Sequence, residues 1–315
     1  PTKPLFSVQD EKGEVALCTL SAVNLGALDS LDELEDITEI IVRSLDSLLD
    51  YQDYPLKSAE IASNNRRTLG IGVTNLAYYL AKNDAKYSDG SGNDLIHKTF
   101  EALQYYSLKA SNKLAEELGP CPLFSETQYA KGIMPIDSYK KDIDAFCSTK
   151  LELDWDTLRK NIKSKGLRNS TLTALMPCES SSQISNSTNG IEPPRGFISV
   201  KQSKDGILKQ VVPEYEKLHK KYELLWDIKD NEGYLQLCAI MQKFVDQSIS
   251  TNTHYDPSQF EGSRVPMKLF LMDLLKAYKY GIKTLYYHTT RDGSGDDQNN
   301  TKQGDDDCED GVCKL

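Results

Sequence analysis

Two cysteines near the end of the chain could carry out thiol chemistry. Cys308 and Cys313 lie five residues apart among acidic and small polar residues, and we predict a flexible acidic tail over 291–315. Two thiols in such a segment can form a disulfide with each other or attack another one, because exchange requires access and a thiolate. Two alternatives stay open. One is a metal site, although two cysteines without a nearby histidine bind zinc poorly. The other is a pair of surface cysteines without a role.

A second segment has residues typical of an anion-binding loop. The β-prone run 171–175 ends at a proline and opens onto a cluster of hydroxyl residues. Consecutive backbone amides at the start of a helix attract phosphate, so the segment predicts a phosphate site. A hydroxyl-rich turn that serves only as a helix N-cap would show the same spacing. The candidate residues are Pro177, Cys178, Glu179, Ser180 and Ser181.

Single cysteines and tyrosines elsewhere have ordinary structural explanations. Cys18 lies in the apolar, β-prone run 15–20, where a lone cysteine is usually an inert core residue. Tyr286 and Tyr287 are consecutive in the strand-like run 282–289. Successive side chains of a strand point to opposite faces, so the two rings would ordinarily pack on different sides.

Composition limits the class of protein. The chain has 315 residues, 39% of them hydrophobic, and a net charge of −10, which argues against a duplex nucleic-acid binder. No apolar run approaches the roughly 20 residues of a membrane span, and no signal peptide opens the sequence. Seven cysteines, an odd number, do not fit a secreted disulfide framework. We therefore expect a cytoplasmic protein without a membrane partner.

Helix-like and strand-like stretches alternate along the chain, which favours an α/β fold. Helical spacing of apolar residues over 31–49 predicts one helix, and Gly119-Pro120 should end another that spans 99–118. Asp154 or Asp156 should cap a helix that ends near Gly166. Further helices are predicted over 75–81, 234–247 and 267–280, and strands over 15–20, 67–73, 171–175 and 282–289.

Four segments, taken together and in this order, resemble the large subunit of class I ribonucleotide reductases. They are NNRRTLGIGVTNLAYYLA at 64–81, LRNSTLTALMPCESSSQISNSTNGIEPPRG at 167–196, KTLYYHTTRDG at 283–293 and CEDGVCKL at 308–315. The resemblance extends over essentially the whole chain. It implies that residues 1–290 form the second half of a ten-stranded α/β barrel with a small embedded α/β subdomain, followed by a disordered tail over 291–315.

The resemblance also assigns roles to the candidate residues. Cys18 would be one of two active-site thiols that become a disulfide in each turnover, and Cys308 with Cys313 would restore them with electrons from thioredoxin or glutaredoxin. Tyr286 and Tyr287 would stack and relay a radical from the small (beta) subunit, which requires a local departure from regular strand geometry. Pro177, Cys178, Glu179, Ser180 and Ser181 would hold the diphosphate of a ribonucleoside diphosphate.

Some residues do not follow the family pattern. Cys178 stands where the family would have serine; a backbone amide survives that change, so we expect phosphate binding to persist. Glu179 should turn its carboxylate away from phosphate. Cys121, Cys147 and Cys238 match no functional position and should be structural. Arg67 and Arg195 could pair with an anion, although ordinary ion pairs are the simpler expectation.

The reactive centre that the resemblance implies is not in this sequence. No Asn-X-Cys-X-Glu motif occurs, and the motif, like the partner of Cys18, is expected upstream of Pro1. We therefore expect a split or fragmented, phage-type large subunit that needs a complementing N-terminal half. The chain itself should bind no cofactor or metal: a di-iron small subunit would supply the radical, and ATP or deoxynucleotide effectors would bind the missing part.

Three functions follow from these patterns. The first is part of a ribonucleoside-diphosphate reductase, which makes deoxyribonucleotides for DNA synthesis by radical chemistry. A non-catalytic remnant retained for assembly or regulation is the second. The third is a stand-alone thiol redox protein that uses the tail cysteines, although the absence of a CxxC motif at a helix start argues against it.

Overall fold

The computed structural model describes residues 13–203 and 206–291, and the backbone of 308–309 and 312–313. Its helices are α1 Leu34–Tyr51, α2 Lys57–Arg66, α3 Leu76–Lys82, α4 Asn93–Leu118, α5 Pro135–Ser138, α6 Trp155–Lys165, α7 Glu179–Ile184, α8 Tyr215–Leu218, α9 Glu232–Gln242 and α10 Met267–Lys279. Its strands are β1 Leu20–Asn24, β2 Gly70–Thr74, β3 Ile198–Ser203, β4 Gly206–Val211, β5 Thr251–Tyr255, β6 Leu285–Thr290, β7 Cys308–Glu309 and β8 Val312–Cys313.

Five extended segments lie side by side, all parallel and in chain order. β1 pairs with β2, and β5 pairs with β6. Segment 171–175 joins these two pairs through one bridge between Ile71 and Thr173 and another between Leu175 and Ile249. Five parallel neighbours are half of the ten strands that the resemblance implies. The predicted α/β fold is confirmed.

Helices cover this sheet because parallel strands need long crossover connections. α4 is the central helix and contacts α1, α6 and α9. Its inner face buries Ile96, Phe100 and Leu103, and α9 is buried along nearly its whole length. The buried apolar side chains of α4 and α9 therefore belong to the central hydrophobic core of the protein.

The helix ends agree with the expectations from capping residues. Asp154 caps α6, since its carboxylate accepts a hydrogen bond from the Thr157 amide at 3.0 Å. Gly119 ends α4 with a φ of +83°, a backbone conformation that favours glycine. The helices predicted over 31–49, 75–81, 99–118, 234–247 and 267–280 are all present, with ends shifted by a few residues or, at 99 and 247, by five or six.

One predicted strand is misplaced. The run 15–20 was expected to be a strand, but β1 begins only at Leu20, and residues 13–19 have no regular structure. Pairing explains the difference: the Gly70 amide donates to the Thr19 carbonyl at 2.9 Å, and the ladder with β2 starts at that point. The position of the neighbouring strand, which local β-propensity does not encode, therefore sets where β1 begins.

None of the helices in the described part of the chain combines the length and the hydrophobicity that a membrane span requires.

The predicted flexible tail over 291–315 lies almost entirely outside the described residues. Where the backbone is described, β7 and β8 are antiparallel, with Cys308 directly opposite Cys313.

Candidate functional site

A cavity of about 170 Å³ lies where segment 171–175 and its following loop meet β5 and β6. The carboxyl end of segment 171–175 supplies one wall, the loop 189–195 a second, and the two strands a third. Of the predicted phosphate-loop residues, Pro177 and Glu179 line this cavity together with the predicted tyrosine pair, whereas Cys178, Ser180 and Ser181 are not among its lining residues. Its lining residues are Leu175, Met176, Pro177, Glu179, Asn189, Gly190, Ile191, Glu192, Arg195, Ser250, Asn252, Tyr286, Tyr287 and Thr289.

The predicted phosphate loop is the start of the short helix α7. Cys178 is its N-cap residue, and the Ser182 amide is the donor that reaches the Cys178 carbonyl, at 2.8 Å. The first amides of a helix have no acceptors within the helix, so those of residues 179–181 can bind an anion. The Cys178 amide itself donates to Asn189 Oδ1 at 2.7 Å, which closes the loop. Phosphate binding by these residues stays a prediction.

Cys178 faces the core instead of the cavity. Its thiol is 4% exposed and lies 3.6 Å from the Val73 carbonyl oxygen and 3.5 Å from that of Met176. Burial raises the pKa of this thiol, and hydrogen bonds with Ser181 and Thr74 only partly oppose that shift. A protonated, enclosed thiol is a poor nucleophile. The cysteine that replaces the expected serine therefore acts as a packing residue here.

The rings of Tyr286 and Tyr287 lie against each other in a tilted contact, which we call the stacked pair. Their ring centroids lie 4.0 Å apart with an angle of 46° between the planes, and the side chains are 48% and 55% exposed. Adjacent residues of a regular strand cannot stack in this way. The strand is irregular at this place, since the register between β5 and β6 shifts between Thr251 and Thr253. The expected departure from regular geometry is therefore present.

Charges of both signs surround the cavity. Burial raises the pKa of the partly buried Glu192, and the charge of Glu179 raises it further. A hydrogen bond from Asn252 and the charge of Arg195 oppose this shift. Arg195 is exposed and lines the cavity, so it is the candidate partner of an anion there. Arg67 is not: its guanidinium pairs with Asp46 and Asp50, each at 2.7 Å, away from the cavity.

Among the described residues, Cys18 does not line this cavity. It is exposed and precedes β1. Residues 13–19 have no regular structure, so Cys18 lies in an irregular segment that leads into β1. Its redox role stays a prediction.

The other cysteines behave as structural residues. Burial raises the pKa of Cys121 and of Cys147 to about 11 and that of Cys238 to about 12. Thiols with such pKa values are protonated at neutral pH and unreactive. Across the described part of the chain, no group of histidine, cysteine and carboxylate side chains could hold a metal ion.

Glu192 and Asn252 are site residues that the sequence did not predict. Asn252 donates to Glu192 Oε1 and accepts a hydrogen bond from the Tyr287 amide at 2.9 Å. Glu192 lies within the NGIEPPR stretch of a segment that carries the resemblance, but nothing in its local pattern indicates which strand it meets. Asn252 offers no sequence signal at all.

The comparison with known families agrees with this arrangement. The family model described as "Ribonucleotide reductase, barrel domain" matches residues 6–288. The chain belongs to this family. Membership accounts for the parallel strands and confirms the resemblance that the four sequence segments indicate.

Several alpha subunits of ribonucleoside-diphosphate reductases are similar to the chain. The alpha subunit of Haemophilus influenzae is 65% identical over 315 residues, all of this chain and 41% of that protein. Subunit alpha of the Escherichia coli reductase 1 is 64% identical over 269 residues, 85% of this chain and 35% of that protein. The alpha subunit of phage T4 is 50% identical over 317 residues, 99% of this chain and 41% of that protein. The chain thus spans about two fifths of the length of these relatives and represents a C-terminal portion of a class I large subunit.

Proposed function

We propose that this chain supplies the substrate-phosphate loop, the radical-relay tyrosines and part of the thiol machinery of a ribonucleoside-diphosphate reductase. The observation that supports it most is the single cavity in which the start of α7 and the stacked Tyr286 and Tyr287 meet. A diphosphate at the helix start would place the rest of the nucleotide within reach of the ring pair. Neither feature alone would suggest this chemistry, since each has an ordinary structural explanation.

The proposed reaction removes the 2′-hydroxyl of a ribonucleoside diphosphate. A radical that originates in a small subunit passes through Tyr287 and Tyr286 to a cysteine of a complementing N-terminal segment, and that cysteine abstracts the 3′-hydrogen. The hydroxyl leaves as water, Cys18 with its partner thiol supplies two electrons and two protons and becomes a disulfide, and the abstracting cysteine then returns the hydrogen to the 3′-carbon. Cys308 and Cys313 then reduce this disulfide and are themselves reduced by thioredoxin or glutaredoxin. Effector nucleotides bind outside this chain.

The test uses the reconstituted reductase, by which we mean this chain produced with the upstream segment of its relatives, as one polypeptide or two, and mixed with the small subunit. Tyr286→Phe and Tyr287→Phe should each abolish deoxynucleotide formation, because phenylalanine keeps the ring but has no phenol to oxidise. Assembly, measured by sedimentation, should be unchanged.

Tyr51→Phe is the matched control. Tyr51 is exposed at the end of α1, so the same chemical change there should leave turnover as it is. Normal turnover in either relay variant would contradict the relay role. Turnover by this chain alone would contradict the need for a complementing segment.

A further inference from the structure

β6 contains one more residue than β5 at the place where the tyrosines stack. Thr251 is opposite Leu285 and Thr253 is opposite His288, so a step of two residues in β5 faces a step of three in β6. An extra residue of this kind disturbs the ladder and leaves a backbone group without its regular partner. Tyr286 and Tyr287 occupy this step, and their stacking depends on it.

A side chain of β5 accepts a hydrogen bond from the backbone at this irregular step. Asn252 lies in β5 within the same irregular step, and its Oδ1 accepts a hydrogen bond from the Tyr287 amide at 2.9 Å. A backbone amide of a strand normally finds a backbone carbonyl. Here the acceptor sits on a rotatable side chain, so the position of Tyr287 depends on what holds Asn252.

Glu192 accepts a hydrogen bond from the NH₂ group of the Asn252 side chain. Asn252 Nδ2 donates to Glu192 Oε1, and both residues line the cavity with the tyrosines. A carboxylate accepts hydrogen bonds and does not donate them, so it draws the Asn252 NH₂ group towards itself and turns Oδ1 towards Tyr287. Glu192 belongs to the loop that follows α7, so this loop and the tyrosine pair are connected through two side chains.

We propose that Glu192 and Asn252 are positioning residues for the tyrosine pair: Glu192 orients the Asn252 amide, and Asn252 fixes the Tyr287 backbone in the bulged strand. The relevance to turnover rests on the relay role proposed above. The positioning itself does not rest on the relay role, since it concerns only the geometry of the rings.

The experiment changes the hydrogen-bonding groups of Asn252 and Glu192, first one and then both. Asn252→Asp keeps the oxygen that accepts from Tyr287 but replaces the NH₂ group with a second oxygen that faces the Glu192 carboxylate. In the reconstituted reductase this change should lower kcat about tenfold to hundredfold, since small displacements of reacting groups have effects of that size. The KM for the ribonucleoside diphosphate should change little. Adding Glu192→Gln should restore kcat to within a few-fold, because glutamine returns a donor to the pair.

Asn161→Asp is the matched control, the same change at an exposed position of α6, and it should have no effect. Glu192→Ala is a second variant that leaves Asn252 intact. It frees the Asn252 amide to rotate, so it should lower kcat in the same direction even if Asn252→Asp prevents assembly.

A readout that does not depend on turnover separates this inference from the proposed function. With 3-fluorotyrosine at position 287, the ¹⁹F resonance should shift or broaden in the Asn252→Asp protein and return in the double variant. An unmoved resonance in both Asn252→Asp and Glu192→Ala would overturn the positioning role. A resonance that moves while turnover stays normal would support the positioning and refute the relay.

Discussion

Lys243 and His97 form a buried polar pair between α4 and the end of α9. Lys243 Nζ lies 3.0 Å from His97 Nε2 and 2.9 Å from Asp144 Oδ1, and it stands over the Tyr139 ring at 4.6 Å from the centroid. An ammonium group only donates, so the histidine must accept and stay neutral. Burial, and then the charge of Lys243, lower the pKa of His97 to about 4.

This pair makes the stability depend on pH. Between pH 4 and the ordinary histidine pKa of about 6.5, the unfolded chain binds a proton that folded His97 does not, so stability is lost as the pH falls through this window. The contribution at pH 5 is about 2 kcal/mol less than at pH 7. His97→Gln, which keeps an acceptor for Lys243, should therefore reduce the fall in melting temperature between pH 7 and pH 5. Thermal unfolding of the reconstituted subunit at the two pH values measures this fall in melting temperature. An equal fall in the wild-type and variant proteins would show that His97 is not the group that titrates.

Segment 171–175 leads directly into the phosphate loop, and a side chain of the neighbouring chain segment holds it. Asp246 accepts hydrogen bonds from the amides of Leu172 and Thr173, at 2.8 and 3.0 Å, and from the Tyr129 hydroxyl at 2.9 Å. Burial raises the pKa of Asp246, whereas these hydrogen bonds lower it. The carboxylate thus replaces part of a strand ladder, since this segment has only isolated bridges to its neighbours.

Removal of that carboxylate should loosen the element that carries the phosphate loop. Asp246→Ala leaves the Leu172 and Thr173 amides and the Tyr129 hydroxyl without their acceptor, and the expected loss of unfolding free energy is on the order of 3 kcal/mol. Asp246→Asn retains one acceptor oxygen and should lose less. Denaturant unfolding measures both, and hydrogen exchange at residues 172 and 173 should increase in Asp246→Ala. Equal stability of the two variants would contradict this account.

The sequence predicted those elements whose signals lie within their own residues. Asp154 and Gly119 mark helix ends, and the apolar spacing over 31–49 predicts α1. The sequence did not predict α2, because its buried residues are small or polar, such as Ala59 and Ser63, and show no apolar periodicity. The hairpin of β3 and β4 was missed as well. Asn252 could not be found, because its role depends on a register shift against a strand more than thirty residues away.

At the scale of the whole molecule, the described part of the sheet has a strand with one unpaired edge at each side. Within the described residues, β1 pairs only with β2, and β6 pairs only with β5, while most β6 side chains are exposed. Parallel sheets in stable proteins are covered on both faces, and an unpaired edge readily adds another strand. These edges are where the complementing half of the proposed reductase would attach.

In the proposed reductase, the tail cysteines would connect the assembly to its reductant. The backbone of β7 and β8 sets Cys308 opposite Cys313, an arrangement that suits a reversible disulfide. Replacing both with serine should block turnover of the reconstituted reductase with thioredoxin but leave turnover with dithiothreitol largely intact, because a small thiol reaches the active-site disulfide directly. Cys147→Ser, a change at a protonated structural thiol, should affect neither. Equal loss with both reductants would contradict the shuttle.

The sequential order of the parallel strands has a consequence for biosynthesis. Each strand leaves the ribosome after the neighbour on which it will dock, so the sheet can grow by addition at one side without waiting for distant sequence. β6 is the last of the five to be made. The two phenol rings are therefore synthesised after every other strand of the described sheet, so a chain that stops before β6 lacks both of them.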